Sequence, residues 1–274
     1  MISFGEDKYK SGLKEMWKLC FPMDTDTFID FYFDEVYKND ETLIYFENGK
    51  TAAVFQMIPY TLKNGEEISQ AGYISGAMTH PDFRRKGFMK ELLFASFDIM
   101  RTRGFDYTFL VPQEAWLFDF YTKFGYKTIL PPKNLTNPSD HRYESAGPKQ
   151  SAGNQYYITY SRFLSEIPQV VLKTEKQFQQ ILHDFFDENG VLFANEQGIA
   201  FTFQEKNKIG IKEFFYQNQK VKDLFLKAIC DYYSQEEIVI LNSPDHLTGL
   251  RGMIKRLNDR KPDISELYIN MMLE

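Results

Sequence analysis

The sequence predicts an α/β fold of the α+β kind, built twice along one chain. Two observations carry this. The order strand, strand, strand, helix, strand occurs twice, about 130–150 residues apart, and residues 131–154, poor in large apolar groups, lie between the two occurrences. Solenoid repeats recur every ~20–50 residues, so the longer spacing points to duplication of a whole domain. The chain is long enough for it: 274 residues with 43% hydrophobic and 16% aromatic content can fill two cores. The predicted domains are 1–133 and 154–274.

The first copy opens with two amphipathic segments, 9–20 and 25–38. "TLIYFENGK" and "TAAVFQMIPYTL" follow as a strand pair, with Asn48-Gly49 as the hairpin turn. "AGYISGAMTH" is a third strand. From Phe88 to about Arg103, apolar residues recur at Met89, Leu92, Leu93, Phe97 and Met100, with Phe94 and Ile99 widening the face, which predicts a well-buried helix stopped by Gly104. "DYTFLVP" (106–112) is a short strand, and Glu114–Phe124 a helix ended by Gly125. In the second copy "VLFAN", "GIAFTFQ" and "KIGIKEFFYQ" are strands, "VKDLFLKAICDYY" (221–233) a helix, and "EIVILNSP" the closing strand. Between the copies, "PPKNLTNPSDHRYESAGPKQSAGN" is rich in Pro, Ser, Asn and Gly and predicts a linker or long loop.

Charge and composition exclude several classes. A net charge of −6 and a pI near 5.4 argue against a broad nucleic-acid face and favour cationic small molecules or peptides as partners. Cys20 and Cys230 are far apart and lack a Cys-x-x-Cys spacing, so neither a disulfide framework nor a zinc site is expected. His80, His141, His183 and His246 have no companions at metal-binding spacing, and no metal is expected. No run of ~18 apolar residues occurs, and "MISFGEDKYK" lacks the apolar segment of a signal peptide, so a cytoplasmic protein with no membrane partner is expected. A homo-oligomer is compatible with all of this.

The two copies differ between third strand and helix. The second has "QNQK" (217–220), with one cation and no glycine; the first has "PDFRRKGFMK", with Arg84, Arg85 and Lys86 directly before Gly87. A helix start carries unpaired N–H groups and partial positive charge, and a glycine there lets a phosphate approach the backbone. Two readings stand on spacing alone: a diphosphate cradle, or solvated charge in a turn. Neither "GxxxxGK[ST]" nor "GxGxxG" is present, which disfavours mononucleotide hydrolysis and a dinucleotide fold.

"MTHPDFRRKGFMKELL" followed by "FYTKFGY" (120–126) resembles the GCN5-related N-acetyltransferases (GNAT), whose acetyl-CoA signature is Arg/Gln-x-x-Gly-x-Gly/Ala between a strand and a helix. Arg84, Gly87 and Met89 hold the signature positions, and Met89 departs from the usual small residue. The Arg-Arg-x-Gly run and the Tyr before Phe-Gly-Tyr resemble the tandem-domain acetyltransferases of the "enhanced intracellular survival" type. The resemblance is specific over 40–130 and extends along the chain as a tandem fold, without that type's sterol-carrier-like third domain.

The resemblance implies two mixed β-sheets flanked by helices, with an N-terminal copy binding acetyl-CoA and a degenerate C-terminal copy shaping the acceptor cleft. It implies transfer of acetyl from acetyl-CoA to a primary amine by direct attack. Ala77, Met78 and Thr79 would offer strand backbone to the pantetheine arm, and the N–H groups of Arg85, Lys86, Gly87, Phe88, Met89 and Lys90 would hold the diphosphate beside Arg84. Tyr121 matches the family's general acid, protonating the departing thiolate. For the base, Glu114 is one candidate, and the terminal carboxylate of Glu274 another, since a C-terminal carboxylate reaches the active site in the tandem type. The frequent Asn six residues before the Tyr is Ala115 here, and His80 belongs to turn packing. The acidic stretch "DTDTFIDFYFDE" (24–35) is a capped amphipathic helix or a wall of the acceptor site. Two rivals remain open: a non-catalytic acyl-CoA sensor or interaction protein, and an aminoacyl-tRNA-dependent peptidyl transferase on the same tandem fold. Aminoglycoside, polyamine, amino-sugar and peptide or lysine amines all remain open as acceptors.

Overall fold

A computed structural model describes residues 1–131, 147–149, 154–235, 237–243, 246–247 and 251–272. In chain order the first part holds β1 (Ile2–Phe4), α1 (Lys10–Cys20), α2 (Asp26–Phe31, continued by a π-helical turn over Tyr32–Val36), β2 (Thr42–Glu47), β3 (Lys50–Asn64), β4 (Glu67–Thr79), α3 (Phe88–Thr102), β5 (Tyr107–Leu110), α4 (Ala115–Thr122) and β6 (Lys127–Ile129). The second part holds β7 (Gly147–Lys149), α5 (Asn154–Glu166), β8 (Gln169–Leu172), α6 (Glu175–Asp187), β9 (Val191–Asn195), β10 (Gly198–Glu205), β11 (Lys208–Tyr216), α7 (Gln219–Tyr233), β12 (Ile238–Ile240), β13 (Asn242–Ser243), β14 (His246–Leu247) and β15 (Gly252–Arg256).

All of these strands but β13 and β14, which pair with each other, form two mixed sheets, as the sequence predicts. The first runs β1-β2-β3-β4-β5-β15-β6, and the second β12-β11-β10-β9-β7. In each, a run of four antiparallel strands meets one parallel neighbour: β1–β4 meet β5, and β7, β9, β10 and β11 meet β12. Asn48 and Gly49 turn the β2–β3 hairpin with φ of 50° and 76°, the left-handed conformation that this dipeptide tolerates. α3 buries Leu92, Leu93, Ser96, Phe97 and Met100, a face set by three- and four-residue spacing. Phe94 lies outside that face, 48% exposed.

The two sheets exchange chain. β8 pairs with the far end of β3, Thr61–Asn64, and β15 fills the place between β5 and β6 in the first sheet. Strands on both sides of the stretch 131–154 therefore build the first sheet, and β7, from within that stretch, pairs with β9 of the second. The segment after β15 ties the two together: Val171 N–H donates to the Tyr268 carbonyl (3.0 Å), and Tyr268 Oη donates to the buried Glu213 on β11 (2.5 Å). Leu267, Tyr268 and Ile269 are nearly fully buried there, each worth roughly 1.5–3 kcal/mol of apolar burial. No described helix is long and apolar enough to cross a membrane.

Candidate active site

The site begins where two parallel strands part. β4 pairs with β5 only through Ala71–Tyr73; β5 ends at Leu110, while β4 continues to Thr79 with β3 as its ladder partner. Within this free length the β3–β4 register shifts, from Val54↔Met78 to Gln56↔Ser75, so Gly76 and Ala77 form a bulge. A bulge bends its strand and leaves backbone groups outside the ladder. Gly76 is required twice over: its φ is +58°, and a Cβ there would lie 2.8 Å from the Trp17 ring.

A pocket of about 110 Å³ opens in the parting, lined among others by Trp17 and Asp24, the bulge Ser75–Ala77 and Tyr121 of α4. Trp17 is placed by α1, which buries Leu13, Met16 and Trp17 at helical spacing. Its indole Nε1–H donates to Asp24 Oδ2 at 2.6 Å, fixing the carboxylate at the pocket wall. Among the described residues Asp24 is the pocket's one acidic side chain. Trp17, Phe21, Tyr73 and Tyr121 give the remaining walls an aromatic character suited to an ammonium group.

Tyr121 is 6% exposed, its ring edge-on to Phe120 (5.1 Å) and Tyr126 (5.7 Å). Burial pushes its phenol up to about 12, so it holds its proton through neutral pH. It has no hydrogen-bond partner among the described residues, which leaves its O–H to a ligand. Tyr121, the residue that the resemblance implies as the acid, lines this pocket.

The helix start lies beyond the free end of β4. Thr79 leads through His80 and a 3-10 turn, Pro81–Phe83, into Arg84–Gly87 and α3. Arg85 (φ 63°) and Gly87 (φ 87°) are both left-handed, and Gly87 caps α3 with no side-chain hydrogen bond. Arg84, Arg85, Lys86 and Gly87 are exposed, and a Cβ on Gly87 would meet nothing within 4 Å, so the space before the N–H groups of Phe88, Met89 and Lys90 is open. That backbone, with cations beside it, fits a diphosphate.

The predicted residues are brought together as follows. Ala77 lines the pocket; Met78 is 3% exposed with its side chain in the core, so only its backbone is available. The Thr79 carbonyl already accepts from Arg84 Nε (3.2 Å) and from the Cys20 thiol (3.6 Å), which folds Arg84 back onto the strand. Phe88 stacks on Tyr45 (4.6 Å) and Met89 packs against the core, which accounts for a long residue at the signature's third position. Lys86 Nζ sits 5.0 Å over the Phe83 ring. His80 Nδ1 accepts from the Asp82 N–H (3.3 Å), a turn role. Glu114 is exposed, accepts from Trp116 Nε1 (2.6 Å) and does not line the pocket, nor does Ala115. Glu274 and His141 lie outside the described residues. His183 stacks on Phe31 (4.3 Å), and no metal-binding group occurs among the described residues. Trp17 and Ser75 were not singled out by the sequence. In the sequence Asp24 stands only as part of an acidic stretch.

Residues 2–129 match the family model of the acetyltransferase (GNAT) domain. No curated protein matches the chain. Among solved structures, a GCN5-related N-acetyltransferase from Anabaena variabilis is similar over 94% of this chain and 73% of its own, with 13% identity and a TM-score of 0.69. Eis1 from Mycobacterium abscessus is similar over 94% and 74%, with 12% identity and a TM-score of 0.68. A protein of unknown function from Enterococcus faecalis, described as a probable N-acyltransferase, is similar over 94% and 72%, with 9% identity and a TM-score of 0.68. Residues 2–129 thus match the acetyltransferase (GNAT) domain model, and the chain shares the fold of these solved structures over 94% of its length.

Proposed function

We propose that the chain transfers acetyl from acetyl-CoA to a primary amine of a small molecule or peptide, at the pocket between β4 and β5. One observation carries the reading: an unpartnered phenol, a fixed carboxylate and a free strand edge converge on one pocket, and the strand leads directly to an uncapped helix start beside three cations.

In this reading the N–H groups from Arg85 to Lys90 hold the diphosphate, and the backbone of Ala77–Thr79 holds the pantetheine arm. Acetyl-CoA supplies the acyl group as a thioester. Asp24 receives the acceptor as an ammonium, and takes a proton from it directly or through water, since only the neutral amine attacks. The new N–C bond forms as the C–S bond breaks, and Tyr121 passes its proton to the departing sulfur. Glu114 drops from the candidate bases because it is exposed, is held by Trp116 and is not among the pocket's lining residues. Incubating the protein with acetyl-CoA and a panel of amines, following thiol release and product mass, tests the proposal. Product formation by wild type that collapses in Tyr121→Phe supports transfer, whereas acetyl-CoA binding without turnover on any amine supports the non-catalytic reading instead.

A further inference from the structure

A hydrogen-bonded chain runs from the pocket wall into the first core. Ser75 Oγ lies 2.9 Å from Tyr32 Oη, which donates to Gln56 Oε1 at 2.8 Å. Gln56 Nε2 donates to Thr42 Oγ1 at 3.2 Å, and Thr42 Oγ1 donates to the Lys38 carbonyl at 2.7 Å. Tyr32, Thr42, Gln56 and Ser75 are all buried, so these groups have few other partners to turn to.

The far end fixes the sense of every bond. A carbonyl only accepts, so Thr42 commits its single proton to Lys38 and must accept from the amide nitrogen of Gln56. That turns Gln56 Oε1 to Tyr32, which commits its own proton there. The short contact between Ser75 and Tyr32 is then carried by the proton of Ser75. Ser75 has no proton left, and can offer the pocket only lone pairs.

Resting on the proposed amine acylation, we infer that Ser75 is a specificity-determining residue whose Oγ accepts a hydrogen bond from an N–H of the acceptor ammonium. Asp24, which lines the same pocket, supplies the negative charge. Tyr32, Gln56 and Thr42 are positioning residues that keep the hydroxyl proton of Ser75 turned away. The pocket thereby selects primary ammonium groups over cations that have no N–H.

Calorimetry on the full chain with n-butylammonium and n-butyltrimethylammonium as probes reads this directly, with acetyl-CoA affinity measured separately on each variant. Wild type is expected to prefer n-butylammonium. Ser75→Ala is expected to weaken that probe about tenfold or more, as for loss of a hydrogen bond to a charged group, while n-butyltrimethylammonium binds as before or tighter and acetyl-CoA affinity is unchanged. Simple relief of crowding cannot produce that pattern. Tyr32→Phe frees the Ser75 proton to point into the pocket and is expected to lower the preference as well; should it fail to fold, Ser75→Ala alone decides. No preference in wild type, or a preference that survives Ser75→Ala, overturns the inference. Loss of acetyl-CoA binding by wild type would instead strike the acyl-transfer reading, and shows separately from the amine result.

Discussion

Two helices follow equivalent strands in the two copies, α3 after β4 and α7 after β11, and their first turns differ in how the free N–H groups are used. At α7 the Asn218 side chain accepts from the Val221 N–H at 3.1 Å, the ordinary way to satisfy a helix start. At α3 the cap is Gly87, which has no side chain to offer, and Arg84, Arg85 and Lys86 precede it. The strands differ in the same sense. Beyond its pairing with β5, β4 carries a bulge that opens on a pocket, whereas Phe214 and Tyr216 of β11 pack on one another (4.7 Å), with Phe225 of α7 against Phe214 (5.6 Å). The two strand-helix frames are alike, and they differ in whether a side chain occupies the backbone donors of the first turn.

Changes at the first copy's pocket should sharpen this contrast most. Tyr121→Phe should lower turnover by about 10²–10⁴, the usual worth of a positioned general acid, with acetyl-CoA affinity unchanged in calorimetry. Equal loss of both would mean that Tyr121 is a packing residue. Gly76→Ala should cost ~1–3 kcal/mol in chemical unfolding, because its φ is +58° and its Cβ would press on Trp17, and should also reduce turnover by displacing the Trp17–Asp24 pair. At the second copy, Asn218→Ala should cost ~1 kcal/mol of stability and leave acetyl-CoA binding untouched.

The pH dependence reads the same Tyr121 side chain. Burial raises the Tyr121 phenol from 10.0 to about 12, so its acid form persists well past neutral. The rate should rise with pH as the amine loses its proton, without a falling limb from Tyr121 until pH approaches 12. The same shift contributes stability that is fully present below pH 10 and is lost as pH rises through about 12. Tyr121→Phe should remove that alkaline loss in unfolding curves measured across this range.

Much of this was legible locally. The Asn48-Gly49 turn, the α3 face and the Gly87 helix start each rest on residues within a few positions of one another. β15 was not legible: its partners on β5 lie roughly 145 residues away, and nothing in "GMIKR" names them. α6 passed unassigned although "TEKQ" holds a capping signal, realised as Gln177 N–H to Thr174 Oγ1 (3.2 Å) and Thr174 N–H to Gln177 Oε1 (2.9 Å). In the site, Tyr121 and the cations were legible through the family motif. Asp24 and Ser75 were not, because their roles depend on Trp17 and Tyr32, which only the packing of α1 and the turn after α2 against the bulge brings near.

Acetyl-CoA titration by calorimetry, on wild type, Gly87→Glu and Lys220→Glu, tests the central claim most directly. Bulk and negative charge at Gly87 fall on the open side of the α3 start, and the same charge at Lys220 falls on the capped start of α7. The account predicts binding by wild type, its loss in Gly87→Glu and its retention in Lys220→Glu. Absence of binding in wild type, or equal binding by wild type and Gly87→Glu, would contradict it.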